Sequence, residues 1–216
     1  MKYIFYDWCD FNQLLFTKIN YITNLWLMQD FFYIISYFFS IMVFLIYYLL
    51  IMLFVYYKLK SVSFERKLYD QIFALMIKIG SIYAIIGLLY ALMKYHINLP
   101  RPYCSMLKVI SVADFTHVRC LSSFPSAHTA LAVLACYCAF PYLKLKGRVC
   151  AICLVVLVGL SRISLAMHFP ADVIYSILIS LIICISVDKI QQLKFIQHFI
   201  LSPIANWVYK LLCHYG

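Results

Sequence analysis

Residues 31–57 read FFYIISYFFSIMVFLIYYLLIMLFVYY, 27 positions without a charged side chain. As a helix rising about 1.5 Å per residue, this stretch reaches roughly 40 Å, enough to cross a hydrocarbon layer about 30 Å thick with some tilt. Lys58 and Lys60 end it, and Glu65, Arg66 and Lys67 follow. The rest of the chain has the same character: of 216 residues, 66% are hydrophobic, 18% aromatic and only 12% charged. Soluble domains carry about 25% charged residues, and disordered segments are poor in aromatics. Five Gly and six Pro exclude collagen-like and low-complexity readings. The composition specifies an all-α integral membrane protein, a helical bundle of one domain or at most a compact pair.

Working outward from that run, further spans are expected over residues 68–93, 126–143, 149–166 and 172–187, which makes about five transmembrane helices. Lys78 lies inside the second, near its basic end, where its stem can extend and its amine snorkel to the interface. Residues 1–30 differ. Asp10, Lys18, Asn20 and Asn24 alternate with Phe11, Leu14, Leu15, Ile19, Ile22 and Leu25 at helical spacing, the pattern of an amphipathic helix lying on the membrane surface. A sixth span over 11–29 is the alternative. Residues 195–216 resemble the N-terminal segment and form an interfacial tail, which leaves 31–194 as the transmembrane core.

Lys58, Lys60, Arg66, Lys67, Lys144, Lys146, Arg148, Lys189 and Lys194 fall in three loops on one side, which the positive-inside rule makes cytoplasmic. The formal charge of +10 forms no stripe or block, so nucleic acid is not the expected partner. Cys138, Cys150, Cys153 and Cys184 lie in apolar runs, where cysteine acts as a small hydrophobe. Asp7 and Asp10 interrupt the only stretch that could serve as a signal peptide.

The opposite side carries the chemistry. Lys94 is followed after six residues by Arg101-Pro102; Pro125-Ser126-Ala127-His128 opens the third span; and Ser161-Arg162, His168 and Asp172 follow the fourth, with five and three residues between them. Lys94, Arg101 and Arg162 offer positive charge and planar donor forks suited to phosphate oxygens. Ser126 stands where an N-cap would, so the N–H groups of Ala127, His128 and Thr129 add an anion-binding helix terminus. Pro170 disfavours helix at Phe169, which leaves His168 in a loop and Asp172 in the first turn of the fifth span. Asp172 can then hold the imidazole Nδ1–H and free Nε2 as a nucleophile, with His128 as general acid for the leaving oxygen. The set has too few carboxylates to hold Mg²⁺ or Ca²⁺, so no metal and no cofactor are expected.

These residues resemble the three signature motifs of the type 2 phosphatidic acid phosphatase superfamily, which includes the vanadium haloperoxidases: Lys-x6-Arg-Pro, Pro-Ser-Gly-His and Ser-Arg-x5-His-x3-Asp. Order and spacing match over roughly residues 70–190. The resemblance implies His168 as nucleophile, Asp172 as its partner and His128 as acid, with Lys94, Arg101, Ser126, the Ala127 amide and Arg162 binding phosphate. Ala127 stands where the family usually has Gly; if that position needed positive φ, Ala would cost on the order of 1 kcal/mol. The layout is similar to the short bacterial undecaprenyl diphosphate phosphatases. That implies a protein of the bacterial cytoplasmic membrane with its active site facing the periplasm or exterior, and a lipid phosphate or diphosphate substrate drawn from undecaprenyl diphosphate, phosphatidate, phosphatidylglycerol phosphate and lipid A. No obligatory protein partner is implied.

Taken singly, Lys94 and Arg101 read equally well as interfacial anchors, and His96, His117, His198 and His214 match no motif. A phosphotransferase using the same phosphohistidine is the alternative reaction. A transporter would place its ionisable groups at mid-membrane depth instead of at one face. Tyr103 to Phe124 forms the expected entrance, where Cys104 and Cys120 can pair if that side is oxidising, and Lys108 and Arg119 face either a second phosphate or solvent.

Overall fold

The computed structural model describes residues 6–25, 28–61, 66–106, 109–110 and 120–214. Its longer helices are α1 (Phe11–Leu25), α2 (Gln29–Phe38), α3 (Ile41–Ser61), α4 (Arg66–Ile97), α5 (Ala127–Ala139), α6 (Leu145–Ser164), α7 (Pro170–Gln192) and α8 (Ser202–His214). No strand occurs among the described residues beyond an isolated bridge between Pro100 and Leu121. Among the described residues, α4, α6 and α7 are each long and apolar enough to cross a membrane, α2 and α3 count as a fourth if the bent pair is one span, and α5 with its terminal turn is a shorter apolar helix.

α5 packs against α4, α6 and α7. Ile82, Ile86 and Tyr90 of α4, Ala130, Leu131 and Leu134 of α5, and Ile183, Cys184 and Val187 of α7 meet in one buried cluster; each set recurs at three or four residues, the spacing that lines one face of a helix. Where α6 crosses α7, a Cβ on Gly159 would stand 2.6 Å from Val173 Cγ1, so this glycine sets the close approach of the two helices that carry Arg162 and Asp172.

The run 31–57 is not one straight helix. It bends by 48° between α2 and α3. Phe39 and Ser40 donate their amides to Ser36 and Tyr37 in a tight turn, and Ser40 Oγ accepts the Val43 amide at 3.4 Å, starting a new helix. Serine hydroxyls compete with the helix ladder for backbone groups, and here the competition turns α2 against α6. α6 begins at Leu145, so Lys146, Gly147 and Arg148 are helical where a turn was expected; Arg148 anchors the start by donating to the Leu143 carbonyl and lying over the Phe140 ring.

α1 divides its faces differently from the sequence pattern. Phe11, Leu14 and Ile22 point outward, while Asn12, Phe16 and Asn20 are buried against the protein. Asn12 Oδ1 accepts the Ala171 amide at 3.0 Å, Asn20 donates to the Ser164 carbonyl at 2.9 Å, and Phe16 packs with Ile163, Ala166, Phe169 and Val173. Asn20, read from the sequence as part of a polar surface stripe, thus joins Asn12 in satisfying backbone groups at the end of α6 and the start of α7.

At the basic end, Arg66, Lys78, Tyr142, Asp188 and Asn206 line a cavity of about 670 Å³. Lys78 pairs with Asp188 of α7 rather than snorkelling. α8 folds back on α4, with Tyr69 donating to the Ala205 carbonyl and Arg66 lying 4.4 Å over the Tyr209 ring. The motif residues occupy the other end.

Candidate active site

Four helix ends build the site: the last turns of α4 and α6, and the first turns of α5 and α7. α4 stops at Asn98, whose φ of 48° is the left-handed conformation in which helices often terminate. Leu99 to Arg101 then runs beside residues 120–123: Ser123 donates to the Leu99 carbonyl at 2.9 Å and Arg101 to that of Cys120 at 2.8 Å. A disulfide between Cys104 and Cys120 joins the same two segments. Lys94 Nζ donates to the carbonyls of Ser122 (2.8 Å) and Ser123 (3.4 Å). Lys108, Arg119 and His117 lie outside the described residues.

α6 ends in a Schellman turn. Ala166, at φ 53°, donates to Ile163, and both Met167 and His168 donate to the Arg162 carbonyl, at 3.0 and 3.2 Å. One turn of backbone therefore ties the Arg162 guanidinium to the His168 imidazole. Pro170 then opens α7 as expected, and Asp172 Oδ2 accepts the Phe169 amide at 2.9 Å.

Asp172 is fully buried and surrounded by donors. Besides the Phe169 amide, Oδ2 accepts from Ser123 Oγ, and His168 Nδ1 lies 3.4 Å away, while Oδ1 accepts from Tyr6 at 2.7 Å. Directed at Asp172 through Nδ1, the ring has Nε2 left for chemistry. Burial pushes the His168 pKa well below its ordinary 6.5, helped by Arg162, Lys94 and Arg101 and opposed by a hydrogen bond to the Ser123 backbone. The ring is therefore neutral at neutral pH, the state in which it is nucleophilic.

Ser126 caps α5 by position, not by side chain. Its carbonyl accepts the Ala130 amide, but its hydroxyl bonds the Thr129 hydroxyl at 3.0 Å and its N–H goes to Ser176 Oγ at 2.6 Å. The first-turn amides of α5 are consequently not consumed by a serine cap. Ala127 is the first residue of the helix and is absent from the positive-φ positions, so replacing the usual Gly carries no backbone penalty.

Lys94, Arg101 and Arg162 interact electrostatically with one another and, with His168, act on His128. Arg101 Nη1 reaches Met167 Sδ at 3.3 Å, and Arg162 Nη1 donates to Ser36 Oγ. The Nε groups of both arginines are buried without a hydrogen-bond partner. Buried donors left unpaired are costly, and three cations facing one carboxylate repel, so the cup suits an oxyanion with several acceptor atoms.

The eight motif residues expected to bind phosphate or act in catalysis thus gather at one end of the bundle. Tyr6, Ser36, Ser123 and Ser176 join them without having been singled out from the sequence. Ser176 follows Asp172 by four residues on the same helix and was legible in principle; Ser123 stands two residues before the Pro125 motif, and Tyr6 and Ser36 come from distant segments that only tertiary packing brings near.

No curated protein sequence matches the chain. Among solved structures, the crystal structure of Aquifex aeolicus LpxE is similar, with a TM-score of 0.61 and 28% identity over 83% of this chain and 95% of that one. The family model of the PAP2 superfamily matches residues 75–195, more than half of the chain, from within α4 to just beyond α7 and including Lys94, Arg101, His128, Arg162, His168 and Asp172. The chain belongs to the PAP2 superfamily.

Proposed function

We propose that this membrane lipid phosphatase hydrolyses a phosphomonoester or diphosphate on a lipid through a phosphohistidine at His168. The single observation that carries this reading is the convergence of three cations, two of them with buried unpartnered Nε groups, around a neutral His168 that faces Asp172. Lys94, Arg101, Arg162 and the first-turn amides of Ala127 and His128 hold the phosphate, positioned by Ser126. His168 Nε2 attacks phosphorus, the N–P bond forms as the lipid P–O bond breaks, and the oxygen leaves with a proton from His128. The phosphate's negative charge, once it fills the cup, offsets the surrounding cations and lets His128 hold that proton. Water activated by His128 then cleaves the N–P bond, releasing phosphate and restoring both rings. The positive charge that develops on His168 is balanced by Asp172.

The Cys104–Cys120 disulfide beside the site and the basic loops at the far end support an oxidising compartment for the site, the periplasmic or outer face of a bacterial cytoplasmic membrane. The candidate substrates are undecaprenyl diphosphate, phosphatidate, phosphatidylglycerol phosphate and a lipid A phosphate.

The test is free phosphate released from each of these four lipids by the purified protein in excess EDTA. Release from at least one, inhibition by vanadate and loss in His168→Ala are expected. Strict dependence on a divalent ion, or transfer of the phosphoryl group to a lipid acceptor without release, contradicts the proposal.

A further inference from the structure

Tyr6 lies far in sequence from every motif, yet its hydroxyl donates to Asp172 Oδ1 at 2.7 Å. Its ring packs edge-on against Phe124 (6.0 Å) and Phe169 (6.3 Å), both beside site residues. Burial raises the phenol pKa, and the Asp172 charge raises it further, so the hydroxyl keeps its proton and remains a donor. From Tyr6 the chain enters α1 through Trp8, Cys9 and Asp10, whose φ angles of 50°, 55° and 67° are left-handed. Such residues persist where surrounding contacts over-determine them, and α1 supplies those contacts. Through Asn20, Phe16 and Asn12 it grips Ser164 at the end of α6, Phe169 in the loop that carries His168 and Ala171 in the first turn of α7.

We propose that Tyr6 is a positioning residue for hydrolysis: its hydroxyl fixes the Asp172 carboxylate and, through it, the tautomer and orientation of His168, which makes the N-terminal segment part of the catalytic unit. The inference rests on the phosphohistidine reading above. Ser123, the Phe169 amide and His168 share Oδ2, whereas Tyr6 reaches Oδ1 from the other side. Without the phenol, the carboxylate can turn about its own axis and no longer holds the ring square to the phosphorus. The loss falls on the step in which Nε2 bonds phosphorus and the ring gains positive charge. Substrate binding depends instead on Lys94, Arg101 and Arg162, so kcat changes and KM does not.

The experiment is Tyr6→Phe in the full chain, which keeps the ring contacts and deletes one oxygen. kcat and KM are measured for the lipid that the wild type turns over, alongside vanadate inhibition and thermal melting. Since hydrogen bonds to charged groups are the strong ones, kcat is expected to fall roughly ten- to a hundred-fold. KM should stay near wild type, the melting temperature should fall because Asp172 Oδ1 loses its donor in a buried site, and vanadate, a mimic of the trigonal-bipyramidal transition state, should bind correspondingly more weakly. Ser123→Ala combined with Tyr6→Phe should cost less than the product of the two single effects, because both act on one carboxylate. An unchanged kcat in Tyr6→Phe, or a loss carried by KM, overturns the inference. His168→Ala run in parallel separates the two claims: if it remains active, the phosphohistidine reading itself has failed; if it is inactive while Tyr6→Phe matches wild type, only the role of Tyr6 has failed.

Discussion

At the scale of single residues, His168 decides the pH behaviour. Its folded pKa lies well below 6.5 because the ring is buried and faces Arg162, Lys94 and Arg101, with Asp172 and His128 as its other ionisable neighbours. The neutral ring is the nucleophile, so the acid limb of kcat/KM attributable to His168 should lie below pH 6.5, and pH–rate profiles check this. Stability follows with a definite sign. The unfolded chain takes up a proton near pH 6.5 and the folded chain only well below it, so between those values unfolding binds a proton and the melting temperature should decline as pH falls. Ala166 makes a second residue-scale case. Glycine would relieve its left-handed φ by about 1 kcal/mol, but loses a fully buried methyl worth about 0.8 kcal/mol. Ala166→Gly should therefore melt close to wild type, whereas Ala166→Val, β-branched in a closed space, should lose about 1–3 kcal/mol in a melting assay. The motif residues were legible because their spacing is a chemical pattern. Tyr6, Ser36 and Ser123 were not, because an isolated hydroxyl carries no periodicity and becomes meaningful only beside Asp172 or Arg162.

At the scale of elements, Gly159 sets two effects against each other. Alanine is the better helix former by about 1 kcal/mol, but its Cβ would stand 2.6 Å from Val173 Cγ1, and a branched side chain on a packed helix cannot swing away. Overpacking of this kind costs about 1–3 kcal/mol and would push α7, with Asp172, away from α6. Gly159→Ala should lower both melting temperature and kcat; a gain in stability would mean the crossing is looser than described. Element types and most boundaries were readable from hydrophobic runs and from Pro170. The 48° bend was not, since nothing in an uncharged stretch distinguishes a serine that faces lipid from one that breaks the ladder. The inward face of α1 was missed for the same reason: Asn20 looks solvated until the Ser164 carbonyl at the end of α6 is placed beside it.

At the scale of the whole molecule, the bundle keeps two separate ends, a basic one holding the Lys78–Asp188 pair and another where the helix tips enclose the cup. The Cys104–Cys120 link, across a sequence separation of 16, ties Arg101 to the segment that holds Lys94 and Asp172. Closing a loop of that length is worth about 3 kcal/mol. Reduction, or Cys104→Ser with Cys120→Ser, should lower the melting temperature and raise KM more than it lowers kcat, because Arg101 contributes to phosphate binding. The central claim is that His168 accepts the phosphoryl group, and rapid-quench labelling tests it most directly. Protein mixed with lipid carrying radiolabelled phosphate and quenched in alkali, where phosphohistidine survives, should carry label in the wild type. In His128→Ala the label should accumulate or decay more slowly, and in His168→Ala it should be missing. Label retained on His168→Ala would contradict the account.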